Sequence, residues 1–213
     1  MRFRIFLPGA IILAVCLVFS QPASASFSMR DGGTLGPGRS AIHAKLGVPH
    51  LGLDYLAGLH ETLDVGGGLL INYLDPTFEP GILLRWQIAG TPNANIALTS
   101  RAAVHWNLGL WRERRSPPNV GLRFTPGIAA GLRPHPVYSG YVSFEAPFLL
   151  TFAHDGGWAV PLRAAAGLEY GMSPNTRFVV HGGAGPRFEG GGGHVGGVFL
   201  ESDIWLGLSV SLF

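Results

Sequence analysis

Ile96-Ala97-Leu98-Thr99-Ser100-Arg101-Ala102-Ala103-Val104-His105-Trp106-Asn107-Leu108 alternates along almost its whole length. One set holds Ile96, Leu98, Ala102, Val104, Trp106 and Leu108. The other holds Ala97, Thr99, Arg101, His105 and Asn107. A period of two sends the two sets to opposite faces of a β-strand. A tilted strand crossing a bilayer takes about 9–11 residues, and this stretch has that reach. A half-buried strand of a soluble protein alternates in the same way, so the decision rests on what repeats along the chain.

The pattern does repeat. Ile82, Leu84, Trp86 and Ile88 oppose Arg85 and Gln87. Val120, Leu122, Phe124, Ile128 and Leu132 oppose Arg123, Thr125 and Arg133. Tyr138, Val142, Phe144, Phe148, Leu150 and Phe152 oppose Tyr141, Ser143, Glu145 and Thr151. Trp158 to Tyr170 sets Leu162, Ala164 and Leu168 against Arg163, Gly167 and Glu169. Leu200, Ile204, Leu206, Leu208, Val210 and Leu212 oppose Glu201, Asp203, Ser209 and Ser211. Weaker units cover 39–48, 51–59 and 63–74, and Arg177 to Phe188 is a glycine-rich one. Turn chemistry separates them: Val48-Pro49-His50, His60-Glu61-Thr62, Asp75-Pro76-Thr77, Gly90 to Asn95, Arg112 to Asn119, Pro134-His135-Pro136, Ala153 to Gly157, Ser173 to Thr176 and Gly190 to Gly196. Nine turns make ten strands. An even count returns both termini to one side. Eight strands is the alternative count, because the first hairpin alternates least.

The two ends of the chain add an address. Arg2 and Arg4 precede an apolar run from Ile5 to Ser20, and Ala23-Ser24-Ala25 offers small residues for cleavage before Ser26. Residues 1–25 read as a secretory signal peptide, leaving 26–213 as one domain. Leu13-Ala14-Val15-Cys16 is a poor lipidation box. The far end, Trp205 to Phe213, alternates strictly and stops on an aromatic. An exported chain of alternating strands closed by such an end resembles the small bacterial outer-membrane β-barrels. The resemblance covers nearly all of residues 26–213. It implies an all-β fold, a closed antiparallel transmembrane β-barrel in the bacterial outer membrane. It also implies contact with outer-membrane lipid and lipopolysaccharide, and recognition of the C-terminal strand by the barrel-assembly machinery. One departure is that Phe213 falls on the opposite face from Leu206, Leu208, Val210 and Leu212. Two aromatic girdles fit an interfacial placement: Tyr73, Phe78, Trp106, Phe148, Phe152, Trp158, Phe188 and Phe199 toward one end, and Tyr138, Tyr170, Phe178 and Phe213 toward the other.

Composition excludes several chemistries. The chain has 15 Lys and Arg against 13 Asp and Glu. Loss of Arg2 and Arg4 with the signal leaves 13 of each, which removes the support for a nucleic-acid partner. Cys16, the only cysteine, lies in the signal. The mature chain is then without disulfides, thiolate metal sites or cysteine nucleophiles. No histidine pair has metal-ligand spacing, and Gly190 to Gly197 lacks the Lys-Ser/Thr of a phosphate loop. No cofactor is expected.

The second face of each strand carries the interesting side chains. Alternation sends Lys45, Arg85, Arg101, Arg123, Arg133, Arg163, Arg177 and Arg187 to the lumen. They meet Asp54, Asp64, Glu145, Glu169, Glu189, Glu201 and Asp203 there. Buried charges persist when paired, and a small barrel is barely wider than its side chains. The expectation is a charged, narrow or plugged lumen, structural or porin-like, with Glu145 between Arg123 and Arg163, and no catalysis. Two alternatives remain open: an outer-membrane protease or lipid hydrolase, and a docking module for a surface or periplasmic partner. His154-Asp155 reads as a turn, His105 and Ser100 lie on opposite faces, and Arg112-Glu113-Arg114-Arg115 could touch lipopolysaccharide phosphates.

Overall fold

The computed structural model describes residues 28–30, 32–109, 118–152, 156–191 and 194–212. The signal-peptide reading, His154-Asp155, Arg112 to Arg115 and Phe213 lie outside these residues. Among the described residues the chain forms twelve strand segments and no helix. These are β1 (Ser40–Val48), β2 (His50–His60), β3 (Leu63–Asn72), β4 (Thr77–Thr91), β5 (Ala94–Asn107), β6 (Asn119–Leu132), β7 (Tyr138–Glu145), β8 (Phe148–Thr151), β9 (Gly157–Pro161), β10 (Arg163–Ser173), β11 (Thr176–Gly191) and β12 (His194–Ser211).

Neighbours in sequence pair antiparallel, and β1 pairs with β12 from Ala41↔Ser211 to Val48↔Ile204. β7 and β8 continue one stave, as do β9 and β10, so the wall is a closed antiparallel barrel of ten staves. Closure leaves no sheet edge. The first hairpin, β1–β2, is fully laddered from Ser40↔Ala57 to Leu46↔Leu51, so the eight-strand alternative is excluded. The fourth stave starts at Thr77, five residues before the alternation became readable, because Pro80 interrupts the apolar set.

The two composite staves are interrupted by proline rather than by a change of register. On one side β6 pairs Gly127↔Glu145, and beyond the break Phe124↔Phe148 keeps the same register. Arg163↔Glu145 and Leu149↔Ala159 likewise share one register, which sets Pro147 directly opposite Pro161. Ala146 N–H donates to the Pro126 carbonyl at 3.0 Å on the β6 side, so the backbone of residue 147 faces β9. A hydrogen-bonded antiparallel pair exchanges two N–H···O bonds, and neither proline has an N–H. One stave further, Leu162 N–H donates to the Pro186 carbonyl at 2.8 Å, and Pro186 can return nothing. Four prolines thus cross four neighbouring staves at one level.

The staves bury their polar sets and turn their apolar sets outward, exposed on all but β3, where they are half-buried. Asp54, Asp64, Glu79, Arg85, His105, Glu169 and Arg177 are buried inside. Leu200 is 80 % exposed, Leu168 69 % and Ile82 67 % on the outside. Two lumen glycines show why the interior tolerates long side chains. A Cβ at Gly52 would strike the Lys45 chain, and one at Gly68 would strike the Asp54 carboxylate.

Of the described residues ahead of β1, 28–30 and 32–36 do not hang outside. They enter the end of the barrel where β1 begins and β12 finishes. Met29 and Leu35 pack with Ala41 and Leu56, against Leu83. Gly32 sits at φ 79°, where a side chain is disfavoured, close to the backbones of Asn95, Ala97 and Ala129 on the opposite wall. The fold therefore supplies its own plug.

Candidate functional site

The lumen is layered along the barrel axis. At the plugged end, Arg85 Nε donates to Asp64 Oδ2 at 2.8 Å, and its Nη1 donates to the Ser28 carbonyl of the plug at 3.1 Å. Leu35 N–H donates to Asp64 Oδ1 at 3.1 Å, and Thr34 N–H to Gln87 Oε1 at 3.3 Å. Asp64 on β3 therefore holds both the wall and the plug. A second cluster at this end joins Arg177, Ser139 and Glu169. Arg177 Nη1 donates to Ser139 Oγ at 3.1 Å, and Ser139 Oγ to Glu169 Oε2 at 3.3 Å.

The middle layer is organised on two carboxylates. Asp54 accepts from Lys45 Nζ at 2.8 Å and Arg101 Nη1 at 3.3 Å, and has Arg30 Nη2 of the plug at 3.6 Å. Glu79 Oε1 lies 2.7 Å from His105 Nδ1 and 3.2 Å from Arg123 Nη2. Arg101 Nη2 also donates to the Glu79 carbonyl at 2.7 Å. On the far wall Arg163 pairs with Asp203. Tyr141 Oη is 2.7 Å from His181 Nδ1, and the His181 ring stacks on Trp205 at 4.4 Å. Arg30 lies over the same indole at 5.1 Å. His43 Nδ1 meets Ser209 Oγ at 2.8 Å beneath it.

At the open end Arg187 Nε lies 3.0 Å from Glu189, and Nη1 lies 3.7 Å from Glu201. These three groups are partly exposed, as befits a rim.

Arg85, Arg101, Arg123, Arg163, Glu169, Arg187, Glu201 and Asp203 thus each stand in an ion pair or hydrogen bond. Glu145 does not. Arg123 turns to Glu79 and Arg163 to Asp203, and Glu145 has no hydrogen-bond or ion-pair partner among the described residues. Its carboxylate faces a cavity of about 190 Å³, bordered also by Lys45, Asp54, Arg101, Arg123 and Trp205.

Alternation does not bring out two of the charged members. Glu79 lay outside the recognised strand because of Pro80, though it shares parity with Arg85. Arg30 precedes every strand, and nothing in its spacing marks it as a lumen residue. Chemically the site offers acid–histidine and hydroxyl–histidine contacts, each enclosed within the network. No group of three or more His, Cys, Asp or Glu among the described residues is arranged to hold a metal ion. No protein-family model matches this chain, and no curated protein matches it.

Proposed function

We propose that this chain is an integral β-barrel of the bacterial outer membrane, with a lumen closed by its own N-terminal segment and by ion pairs. Its role is structural or that of a gated narrow channel, without catalysis. The observation that carries the reading is the outward face. Large apolar side chains are exposed on nine of the ten staves, among them Leu46, Tyr55, Leu84, Val104, Leu122, Val142, Leu168, Val180 and Leu206, and those of β3 are half-buried. Soluble monomers rarely expose contiguous apolar patches beyond a few hundred Å², whereas a lipid-facing belt flanked by aromatic rings is what a spanning barrel requires. Trp106, Phe148 and Trp158 stand outward toward the open end, and Tyr138 packs on Tyr170 near the plugged end. Lipid and lipopolysaccharide are then the surrounding partners, and β12 is the strand offered to the barrel-assembly machinery.

The test is refolding. Diluted from urea into phospholipid vesicles, the chain is expected to form a protease-resistant, heat-modifiable barrel. In buffer without lipid or detergent it is expected to aggregate. A monomeric folded barrel in plain buffer would overturn the membrane reading.

A further inference from the structure

The cavity in the middle of the lumen is electrically lopsided. On one wall Asp54 (β2) is the one carboxylate within ion-pair distance of Lys45, Arg101 and Arg30 among the described residues, at 2.8, 3.3 and 3.6 Å. Three cations on one anion leave a formal excess of two positive charges. Arg123 does not add to it, because Glu79 holds it. Around the ring β2 and the β7–β8 stave are five staves apart, so the wall opposite Asp54 is the one that carries Glu145. There Arg163 is neutralised by Asp203, and Glu145 makes no ion pair or hydrogen bond among the described residues, feeling the longer-range attraction of Arg30. Charges in a confined, poorly solvated space persist when they are compensated.

From this we infer that the cavity is a binding site for a small zwitterion of the amino-acid type. Its carboxylate sits against Lys45 and Arg101, above Arg30, and its ammonium group reaches Glu145. The cavity, of about 190 Å³, suits a small molecule whose two charged ends reach the two walls. The site is built from the lumen alone and does not rest on where the barrel resides.

The refolded chain in detergent micelles is titrated calorimetrically with 4-aminobutyrate, butyrate and butylamine. We expect 4-aminobutyrate to bind about tenfold more tightly than butyrate, a difference of about 1.4 kcal/mol. Butylamine alone is expected not to bind, since the cationic wall repels it. Glu145→Gln should bring 4-aminobutyrate down to the level of butyrate while leaving butyrate unchanged. Lys45→Gln should weaken both acids. Glu145 has no ion pair to lose among the described residues, and Asp54 keeps Arg30 and Arg101, so both variants retain the wall. Three results each overturn the inference: no heat with 4-aminobutyrate, equal affinity for butyrate and 4-aminobutyrate, or a Glu145→Gln variant that still prefers 4-aminobutyrate. If Lys45→Gln does not refold, the Glu145→Gln comparison alone decides.

Discussion

Asp203 and Glu145 are both lumen carboxylates near Arg163, yet only Asp203 holds it. Removing one partner of a buried pair leaves the other charge uncompensated. Asp203→Ala is therefore expected to cost about 3 kcal/mol in urea unfolding from lipid vesicles. Glu145→Ala breaks no ion pair among the described residues and should stay within about 0.5 kcal/mol of wild type. Equal losses in the two variants would mean that Arg163 is shared between them. The difference could not be read from the sequence. Alternation places a side chain inside or outside, but the choice of partner depends on strand stagger and on which long side chain crosses the lumen. Arg101 on β5 reaches Asp54 on β2, three staves away, and no local rule encodes that.

The staves themselves were legible, because a period of two is set by the pleat and survives any partner. Val104 lies on the outward face of β5 and is 44 % exposed, while Thr99 faces the lumen. Val104→Arg should destabilise the barrel by about 2–4 kcal/mol if the site lies near the bilayer midplane. Thr99→Asn should be mild in the same titration. What remained hidden was any strand residue that lacks an apolar signature. Pro80 hid Glu79, and the lumen glycines made β11 look irregular when they were leaving room for neighbours such as Arg163. The Pro147–Pro161 pair has its own test. Pro147→Ala with Pro161→Ala restores two N–H groups, each worth about 0.5–1.5 kcal/mol when bonded. Lost restriction of the unfolded chain offsets about 0.4–1 kcal/mol per site. Net stability should change little, and the two new amides should be protected from hydrogen exchange like their neighbours. Fast exchange at either would show that the ladder cannot close there.

At the scale of the molecule, the lumen has a floor that no strand pattern announces. The plug comes from a glycine-rich stretch, Gly32-Gly33-Thr34-Leu35-Gly36-Pro37-Gly38, whose composition reads as a linker. Only the closed wall gives Met29 and Leu35 something to bury against. Replacing residues 28–35 with a Gly-Ser segment removes that packing, the Leu35–Asp64 bond and the Arg30 contacts. Burial of one such side chain is worth about 1.5–3 kcal/mol, so stability should fall by a few kcal/mol. In planar bilayers the variant is expected to show steady ionic current where wild type is closed. A silent variant that still refolds would assign closure to the Asp54 and Glu79 layer instead.

The row of prolines gives this barrel two stiffnesses. From the plugged end up to that row, ten laddered staves and a packed floor hold the cross-section round. Above it β8 and β9, four and five residues long, are tied to the rest of the wall across a line with several ladder bonds missing. The open mouth can therefore flatten or widen between β6 and β11 while the base keeps its shape, so that aperture and scaffold are separate mechanical variables in one continuous sheet.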